Sequence, residues 1–203
     1  MKLIGMLDSP YVRRVAISAK RLGIPLEHES VSVFRHFDLF QLINPVVKAP
    51  TLVLDDGEVL IDSTLIIEYL EALAGPGNSL MPGDLDQRLR ALRLIGLALA
   101  ACEKSVQIYY ERTLRPAHIQ FEPWVERVEG QLAAAYSALE RELEKQPLKT
   151  DGSIDQDGIT LAVAWSFTHL VVPDQVQAGQ FPLISAFTEY AEGLEAFVST
   201  PIE

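Results

Sequence analysis

The sequence has a single cysteine and no long hydrophobic run. Cys102 cannot form a disulfide within the chain, and one thiol cannot supply a CxxC redox pair or a cysteine-based zinc site. The first eight residues lack the apolar stretch of a secretory signal peptide. The most apolar segment, 92–102, contains Arg93 and is shorter than the roughly 20 residues of a membrane-spanning helix. We therefore expect a cytoplasmic protein without a membrane span.

Several common catalytic motifs are also absent. No G-x-G-x-x-G or Walker loop supports the binding of a dinucleotide or a nucleotide phosphate. There is no H-E-x-x-H or G-x-S-x-G motif, and the four histidines are scattered along the chain. We expect no bound metal and no esterase-type nucleophile. Two acidic pairs, Asp55-Asp56 and Asp155/Asp157, are better explained as a hairpin turn and a helix cap.

Basic residues are scarce. The chain has 17 Lys and Arg against 28 Asp and Glu, a net charge of −11. An acidic chain repels phosphate backbones unless a local basic patch compensates. The nearest clusters, Arg13–Arg14, Lys20–Arg21 and Arg88–Arg93, are predicted to be solvated faces of helices. We expect neither a nucleic acid nor a membrane as partner.

The composition is that of a globular chain with two dissimilar parts. Of 203 residues, 48% are hydrophobic and 22% charged, enough to build a sizeable core. Residues 1–76 alternate short apolar runs with helical patterns, in the predicted order β-α-β-α-β-β-α. After a turn-rich linker, 77–84, strand patterns stop, and residues 85–203 are predicted to be all-helical. The fold class is therefore α/β followed by all-α.

The helical part begins with one long amphipathic helix, predicted over 85–115. Further helices are predicted over about 123–143 and, as the apolar centre of this part, 159–167. The second helix has an apolar face that contains Val125, Val128, Leu132, Ala135 and Leu139. The apolar stripe of the long helix recurs at three- and four-residue steps: Leu85, Leu89, Leu92, Leu99, Cys102, Val106 and Tyr109.

Two short segments of the first part each allow a structural interpretation and a chemical one, in which the segment binds a ligand. Ser9-Pro10 is a helix N-cap followed by a proline at the first helical position. The same geometry places a hydroxyl at the positive end of a helix dipole, where it can stabilise a bound thiolate. Ala49-Pro50 leads into an edge strand, or, with a cis bond, presents the Ala49 backbone to a peptide ligand.

The third segment is Asp62-Ser63-Thr64, at the predicted start of a helix. Helix capping explains it fully. A helix N-terminus with a serine hydroxyl also binds a carboxylate, and an adjacent aspartate pairs with an ammonium group. Because an α-amino acid carries both groups on one carbon, this corner is suited to an amino-acid head group.

These segments lie in longer stretches that resemble motifs of the cytosolic glutathione S-transferase family. Residues 9–15 look like the S-P-F-x-x-R-V start of the serine-type plant tau enzymes, and the omega class has a cysteine at the position of Ser9. Residues 44–52 resemble N-P-x-x-K-[VI]-P-x-L, and residues 62–70 resemble [ED]-S-x-x-I-x-x-Y-[LI]. The resemblance covers the whole chain and implies a thioredoxin-like domain followed by an all-helical one.

The resemblance also implies roles for particular residues. Ser9 would stabilise the thiolate of glutathione, and the Ala49 backbone beside cis-Pro50 would pair with its cysteinyl part. Asp62 and Ser63 would hold the γ-glutamyl head group. The remaining implied contacts are Lys48 for the glycine carboxylate and, near the second substrate, Tyr11, Tyr109, Tyr110, Arg112 and Arg115. Ordinary packing and solvation explain that second group slightly better than contact with a substrate.

The implied activity is a glutathione transferase of the detoxification type, a homodimer that adds the thiolate to a small apolar electrophile. A glutathione-dependent isomerase or peroxidase, or a non-catalytic scaffold, would share the first domain. Ser9 argues against glutaredoxin-like exchange, which a cysteine there would favour. The sequence departs from the family at 155–158, where Gly158 stands at the last position of a [ST]-x-x-D capping box.

Overall fold

The structure is a computed structural model, and it describes residues 1–202. The chain forms two compact units. The N-terminal unit consists of Met1–Leu80 together with the residues from Leu194 onward, and the helical unit is Met81–Gly193. A mixed sheet with helices occupies the first unit and helices alone occupy the second, which confirms the predicted fold class.

The N-terminal unit has the predicted order of elements. They are β1 (Lys2–Ile4), α1 (Pro10–Arg21), β2 (Glu27–Glu29), α2 (Phe37–Ile43), β3 (Thr51–Val53), β4 (Val59–Ile61) and α3 (Ser63–Ala74). The strands form one sheet in the order β2-β1-β3-β4, in which β1 and β2 are parallel and the other pairs antiparallel. Asp56 accepts a hydrogen bond from the N–H of Glu58, so the predicted hairpin turn is confirmed.

Strand β2 is short and covers only Glu27–Glu29. The side chain of Ser32 accepts hydrogen bonds from the N–H groups of Phe34 and Arg35 at 3.2 and 3.1 Å. This local turn draws the backbone away from the sheet, and β2 ends at Glu29.

Arg13 and Arg14 are buried, so the prediction that they form a solvated face is wrong. Each is only 2% exposed. Arg13 Nε donates to the carbonyl of Thr200 at 2.9 Å, and its guanidinium lies 5.4 Å from the centre of the Phe197 ring. Arg14 donates to hydroxyls at the start of α3. Both guanidinium groups thus donate hydrogen bonds inside the unit, which compensates part of the cost of burying their charge.

The C-terminal residues pack on α1, although the sequence placed them in the all-helical domain of 85–203. The short helix α8 (Glu195–Val198) contacts α1, and Phe197 is 1% exposed. Lys20 Nζ donates to the carbonyl oxygen of Ser199 at 2.7 Å. The tail therefore belongs to the compact unit that contains the sheet.

The helical unit contains α4 (Leu85–Thr113), α5 (Glu122–Lys145), α6 (Gln156–Val171) and α7 (Pro182–Glu192). Twelve of the sixteen residues of α6 are buried, which confirms it as the centre of this unit and explains its apolar character on all sides. The predicted apolar face of α5 is also confirmed, since all five of its residues are buried. No helix within residues 1–202 is long and apolar enough to cross a membrane.

The buried face of α4 differs from the predicted stripe. Leu85, Leu89 and Leu92 are 78%, 66% and 53% exposed. The face that packs in the unit is rich in small residues: Ala91, Leu94, Ile95, Ala98, Ala101, Cys102, Ser105 and Ile108. Small side chains allow α4 to approach α5 and α6 closely, and apolar periodicity alone does not distinguish between two apolar faces.

Packing at the start of α6 explains the missing capping box. Asp155 occupies the N-cap position, but its side chain makes no capping hydrogen bond. A Cβ atom on Gly158 would lie 2.9 Å from Phe187 Cζ and 3.0 Å from Ile154 Cγ1. A carboxylate side chain at position 158 would therefore displace Phe187.

Candidate functional site

The three segments with chemical interpretations meet at one end of the sheet. Ile4 is paired with Thr51, and Thr51 is paired with Ile61. The chain runs from Ile4 towards the start of α1, enters β3 at Thr51 from the cis-proline loop, and continues from Ile61 into α3. The pairing register thus places the ends of three connections side by side.

Ser9 caps α1 with its side chain. Its Oγ accepts a hydrogen bond from the N–H of Val12 at 3.4 Å, and Pro10 occupies the first helical position. A hydroxyl has two lone pairs and one proton, so accepting this bond leaves the proton available for donation. The half-buried Ser9 can therefore cap the helix and donate to a ligand at the same time.

Gly5 allows the exit of β1 to touch both α1 and the cis-proline loop. Its φ is +137°, and a Cβ atom there would lie 2.6 Å from Val12 Cγ2 and 3.0 Å from Ala49 Cβ. Only glycine combines this backbone with this close approach. Gly5 is not among the residues predicted for the site, although a glycine directly after a strand signals such an approach.

The bond between Ala49 and Pro50 is cis, the arrangement that peptide pairing by Ala49 requires. The loop before it is held by the side chain of Asn44, which is 3% exposed and was not predicted as a site residue. Asn44 Nδ2 donates to Thr51 Oγ1 at 2.9 Å, and Thr51 Oγ1 donates to the carbonyl of Lys48 at 2.7 Å. These bonds fix the backbone on either side of Ala49.

Val47, in the same loop, has a φ of +51°, a conformation that β-branched residues rarely adopt. Such a residue costs on the order of 1–3 kcal/mol and persists where the surroundings hold it. The Val47 N–H donates to the carbonyl of Asn44 at 2.9 Å. The turn sets the direction in which the following Lys48 leaves the loop.

Asp62 caps α3 and also faces Lys48. One carboxylate oxygen accepts from the N–H of Thr64 at 2.9 Å, and the other lies 3.7 Å from Lys48 Nζ. The side chains of Lys48 and Asp62 are 54% and 45% exposed. Solvent-exposed ion pairs contribute little, about 0–1 kcal/mol, so a ligand ammonium group can replace Lys48 at low cost.

Ser63 lies beneath Asp62 and is held by Arg14. It is 3% exposed, and its Oγ accepts from Arg14 Nη1 at 2.9 Å. The same nitrogen lies 3.3 Å from Thr64 Oγ1. Neither Arg14 nor Thr64 is among the residues predicted for the site. The sequence contains a signal for Arg14, because this residue directly precedes the apolar stretch Val15–Ile17. An arginine next to buried helix positions requires a polar partner.

The residues predicted near a second substrate are divided between the two units. Tyr11 lies half-buried in the first turn of α1. Tyr109 and Tyr110 lie near the end of α4, with ring centres 6.1 Å apart. Arg112 makes two hydrogen bonds of 2.7 Å to Glu122, and this pairing lowers the pKa of that carboxyl group.

Arg115 is held in a similar way near the end of α4. Its Nε donates to Glu111 at 2.9 Å, and Glu111 also accepts from the N–H of Phe121 at 2.9 Å. The hydrogen bond from the Phe121 N–H lowers the pKa of the Glu111 carboxyl group most. The hydrogen bond and the positive charge of Arg115 lower it further. Both arginines thus stabilise the connection between α4 and α5.

The helical unit has a recess of about 80 Å³ at the start of α6, lined in part by Arg90, Lys149 and Asp157. Burial raises the pKa of Asp157 above its ordinary value. Ligand pockets typically enclose about 300–1,000 Å³, so this recess is small for a substrate. Within residues 1–202, no group of three or more His, Cys, Asp and Glu side chains is placed to hold a metal ion.

Sequence comparisons identify relatives of the chain. The profile of the glutathione S-transferase N-terminal domain matches residues 3–79. The uncharacterized GST-like protein YibF of Escherichia coli K12 is 31% identical over 151 residues, which are 74% of each chain. Glutathione S-transferase U4 of Arabidopsis thaliana is 32% identical over 92 residues, which are 45% of this chain and 41% of that protein.

Solved structures share the complete fold. A glutathione transferase family member from Pseudomonas fluorescens Pf-5, with bound glutathione, is 28% identical and superposes with a TM-score of 0.86 over 100% of this chain and 98% of its own. A glutathione S-transferase from Methylobacterium radiotolerans, 24% identical, has a TM-score of 0.88 over 98% and 93% of the two chains. Together with the match to YibF, these similarities show that the chain belongs to the glutathione S-transferase family.

Proposed function

We propose that this protein is a glutathione S-transferase that binds reduced glutathione and adds its thiolate to a small apolar electrophile. The observation that carries the proposal is the meeting of a helix-capping hydroxyl, a cis-proline loop and an acidic helix N-terminus at one end of the sheet. The relative from Pseudomonas fluorescens, which has bound glutathione, supports the choice of ligand.

Each group of glutathione has a matching partner in this arrangement. The backbone of Ala49, beside cis-Pro50, pairs with the cysteinyl residue as an added strand pairs with a sheet edge. Asp62 accepts from the ammonium of the γ-glutamyl group. Ser63 and the N-terminus of α3 bind the carboxylate on the same carbon atom.

Lys48 is proposed to bind the glycine carboxylate at the other end of the ligand. In the structure its Nζ lies 3.7 Å from Asp62, where the ligand ammonium would take its place. The displaced lysine keeps a flexible four-carbon stem and can turn towards the glycine end. Binding therefore exchanges one exposed ion pair for two between protein and ligand.

Ser9 is proposed to stabilise the reactive form of the thiol. The thiol loses its proton to water, and the Ser9 hydroxyl donates a hydrogen bond to the thiolate at the positive end of α1. The sulfur electron pair then forms the S–C bond. A leaving group departs with the electrons of the bond that breaks, or, in an addition, the substrate takes up a proton from water.

The second substrate and the assembly are parts of the same proposal. Tyr11, Tyr109, Tyr110 and Arg112 are candidates for contact with the electrophile, Arg112 while keeping its pairing with Glu122. A homodimer is supported by the leucine row of α4, the exposed residues Leu85, Leu89 and Leu92, because exposed apolar patches mark interaction surfaces. A cytoplasmic location stays a prediction from the sequence.

The first test is calorimetric titration with reduced glutathione, with the Asp62→Ala, Ser63→Ala double variant as control. We expect binding in the micromolar to millimolar range that the double variant loses. Conjugation, isomerase and peroxidase assays on the binding-competent protein then distinguish the reactions. Absence of binding at several millimolar would refute the proposal and favour a non-catalytic scaffold.

A further inference from the structure

Two adjacent hydroxyls at the start of α3 share one buried cation. Arg14 Nη1 lies 2.9 Å from Ser63 Oγ and 3.3 Å from Thr64 Oγ1. Arg14 and Ser63 are 2% and 3% exposed. Arginine stays protonated in proteins and has only donors, so both hydroxyls accept from it.

We propose that Arg14 is a positioning residue that directs the Ser63 proton towards the α-carboxylate of the γ-glutamyl group. A serine hydroxyl that accepts from a guanidinium must use its single proton elsewhere. With Arg14 on the buried side of Ser63, the remaining direction is towards the ligand at the helix N-terminus. This inference rests on the proposed binding of glutathione and adds a residue to that site.

Charge reinforces the effect of orientation. The N-terminus of α3 presents the positive end of a helix dipole, and the guanidinium of Arg14 adds a full positive charge beside the first turn. Solvent and salt screen a buried charge less than an exposed one such as Lys48. A carboxylate at this end of α3 is therefore favoured over a neutral group.

Arg13 provides a matched control on the same helix. It is also 2% exposed, but its Nε donates to the carbonyl of Thr200 and its guanidinium stacks on Phe197. Arg13→Met removes a buried arginine of the same unit without touching the hydroxyls of α3. Any general cost of losing such a residue appears in both variants.

The experiment measures dissociation constants for two ligands by calorimetry. One is reduced glutathione, and the other is 4-aminobutyryl-cysteinyl-glycine, which is glutathione without the α-carboxylate of its glutamyl residue. The proteins are wild type, Arg14→Met, Arg14→Lys, Arg13→Met, Ser63→Ala and the double variant Arg14→Met, Ser63→Ala. Thermal unfolding of each variant checks that it is folded, and Arg14→Lys keeps the charge if Arg14→Met fails to fold.

We expect Arg14→Met to weaken glutathione about tenfold or more and the decarboxylated analogue less than about threefold, because charge-assisted hydrogen bonds are the strong ones. In the Ser63→Ala background the same change should cost less than about threefold, since coupled residues are not additive. Arg14→Lys should lie between wild type and Arg14→Met, because one ammonium keeps the charge but loses the two-hydroxyl geometry. Arg13→Met should not change the ratio of the two affinities.

Two results would overturn the inference alone: equal losses for both ligands, or full additivity with Ser63→Ala. Either would mean that Arg14 only supports the fold of α3. If the wild-type chain bound neither ligand, the proposed function would fail and the inference with it. The wild-type titration therefore separates the two failures.

Discussion

Replacement of Ser9 separates its two roles, helix cap and thiolate donor. Ser9→Ala removes both, while Ser9→Gly removes the hydroxyl at an N-cap position where glycine costs only a few tenths of a kcal/mol. The capping bond to Val12 is long, at 3.4 Å, so we expect Ser9→Ala to destabilise the fold by about 0.5 kcal/mol, the low end of the range for lost caps. Both variants should remain folded.

The expected effect on glutathione follows from one hydrogen bond. A hydrogen bond to a charged group contributes about 1.5–3 kcal/mol, which corresponds to about one to two pKa units. A thiol with an ordinary pKa of about 8.5 is about 3% ionised at pH 7, and a shift of one to two units raises this to about 25–75%. Ser9→Ala should therefore reduce the thiolate fraction at pH 7 by about 8- to 25-fold.

The assay is the ultraviolet absorbance of bound thiolate as a function of pH, combined with the pH dependence of kcat for conjugation. Because the wild type lowers the thiol pKa, it should lose activity only as pH falls through that lowered value. Ser9→Ala and Ser9→Gly should lose activity at a pH one to two units higher, by the same argument. Ser9→Thr keeps a hydroxyl and should restore most of the shift.

The reasoning is refuted if Ser9→Ala and the wild type show the same thiol pKa. A loss of activity by one constant factor at every pH would have the same meaning. In either case Ser9 would act only as the cap of α1, and the source of thiolate stabilisation would lie elsewhere in the site.

Three further changes test other parts of the structure. Lys48→Gln should weaken glutathione about threefold to fivefold, the upper range for an exposed ion pair, but γ-glutamylcysteine, which lacks the glycine carboxylate, less than about twofold. Equal losses for the two ligands would exclude contact between Lys48 and the glycine carboxylate. Gly158→Ala should destabilise the fold by about 1–3 kcal/mol in urea unfolding because the added methyl meets Phe187, whereas Gly130→Ala, with open space around it, should stabilise it by up to about 1 kcal/mol. Asp157→Asn should raise the Tm at pH 7, because burial raises the pKa of Asp157 and disfavours its ionised form in the folded chain. The gain in Tm should disappear as the pH falls below 3.8, the ordinary pKa of the group, and a gain that does not depend on pH would contradict this account.

Local signals allowed much of the first unit to be predicted. The Ser9-Pro10 cap, the turn before β4 and the cap at Asp62 lie where the sequence indicated. Each depends on a few adjacent residues whose backbone preferences act over short distances. The same is true of α6, which is apolar on all sides and is therefore buried wherever it packs.

Predictions of burial were less successful where burial depends on which distant segment a residue contacts. The leucine row of α4 and its alanine-rich face are both apolar, and only packing against α5 and α6 decided which is buried. Arg13 and Arg14 follow the pattern of exposed charges, but their acceptors lie 187 and 49 residues away. Neighbouring residues can indicate that such an arginine is buried, but they do not identify an acceptor at such a separation.

The sequence by itself determined the family, the order of the elements and the three segments with chemical interpretations, because these are written in short runs of residues. The tertiary structure alone decided how these segments meet. Strand pairing places Thr51 between Ile4 and Ile61, and Gly5 permits the contact with Ala49. The tertiary structure also decided that the buried guanidinium of Arg14 lies beside Ser63. Distant acceptors compensate the cost of removing this charge from water only once the chain has folded.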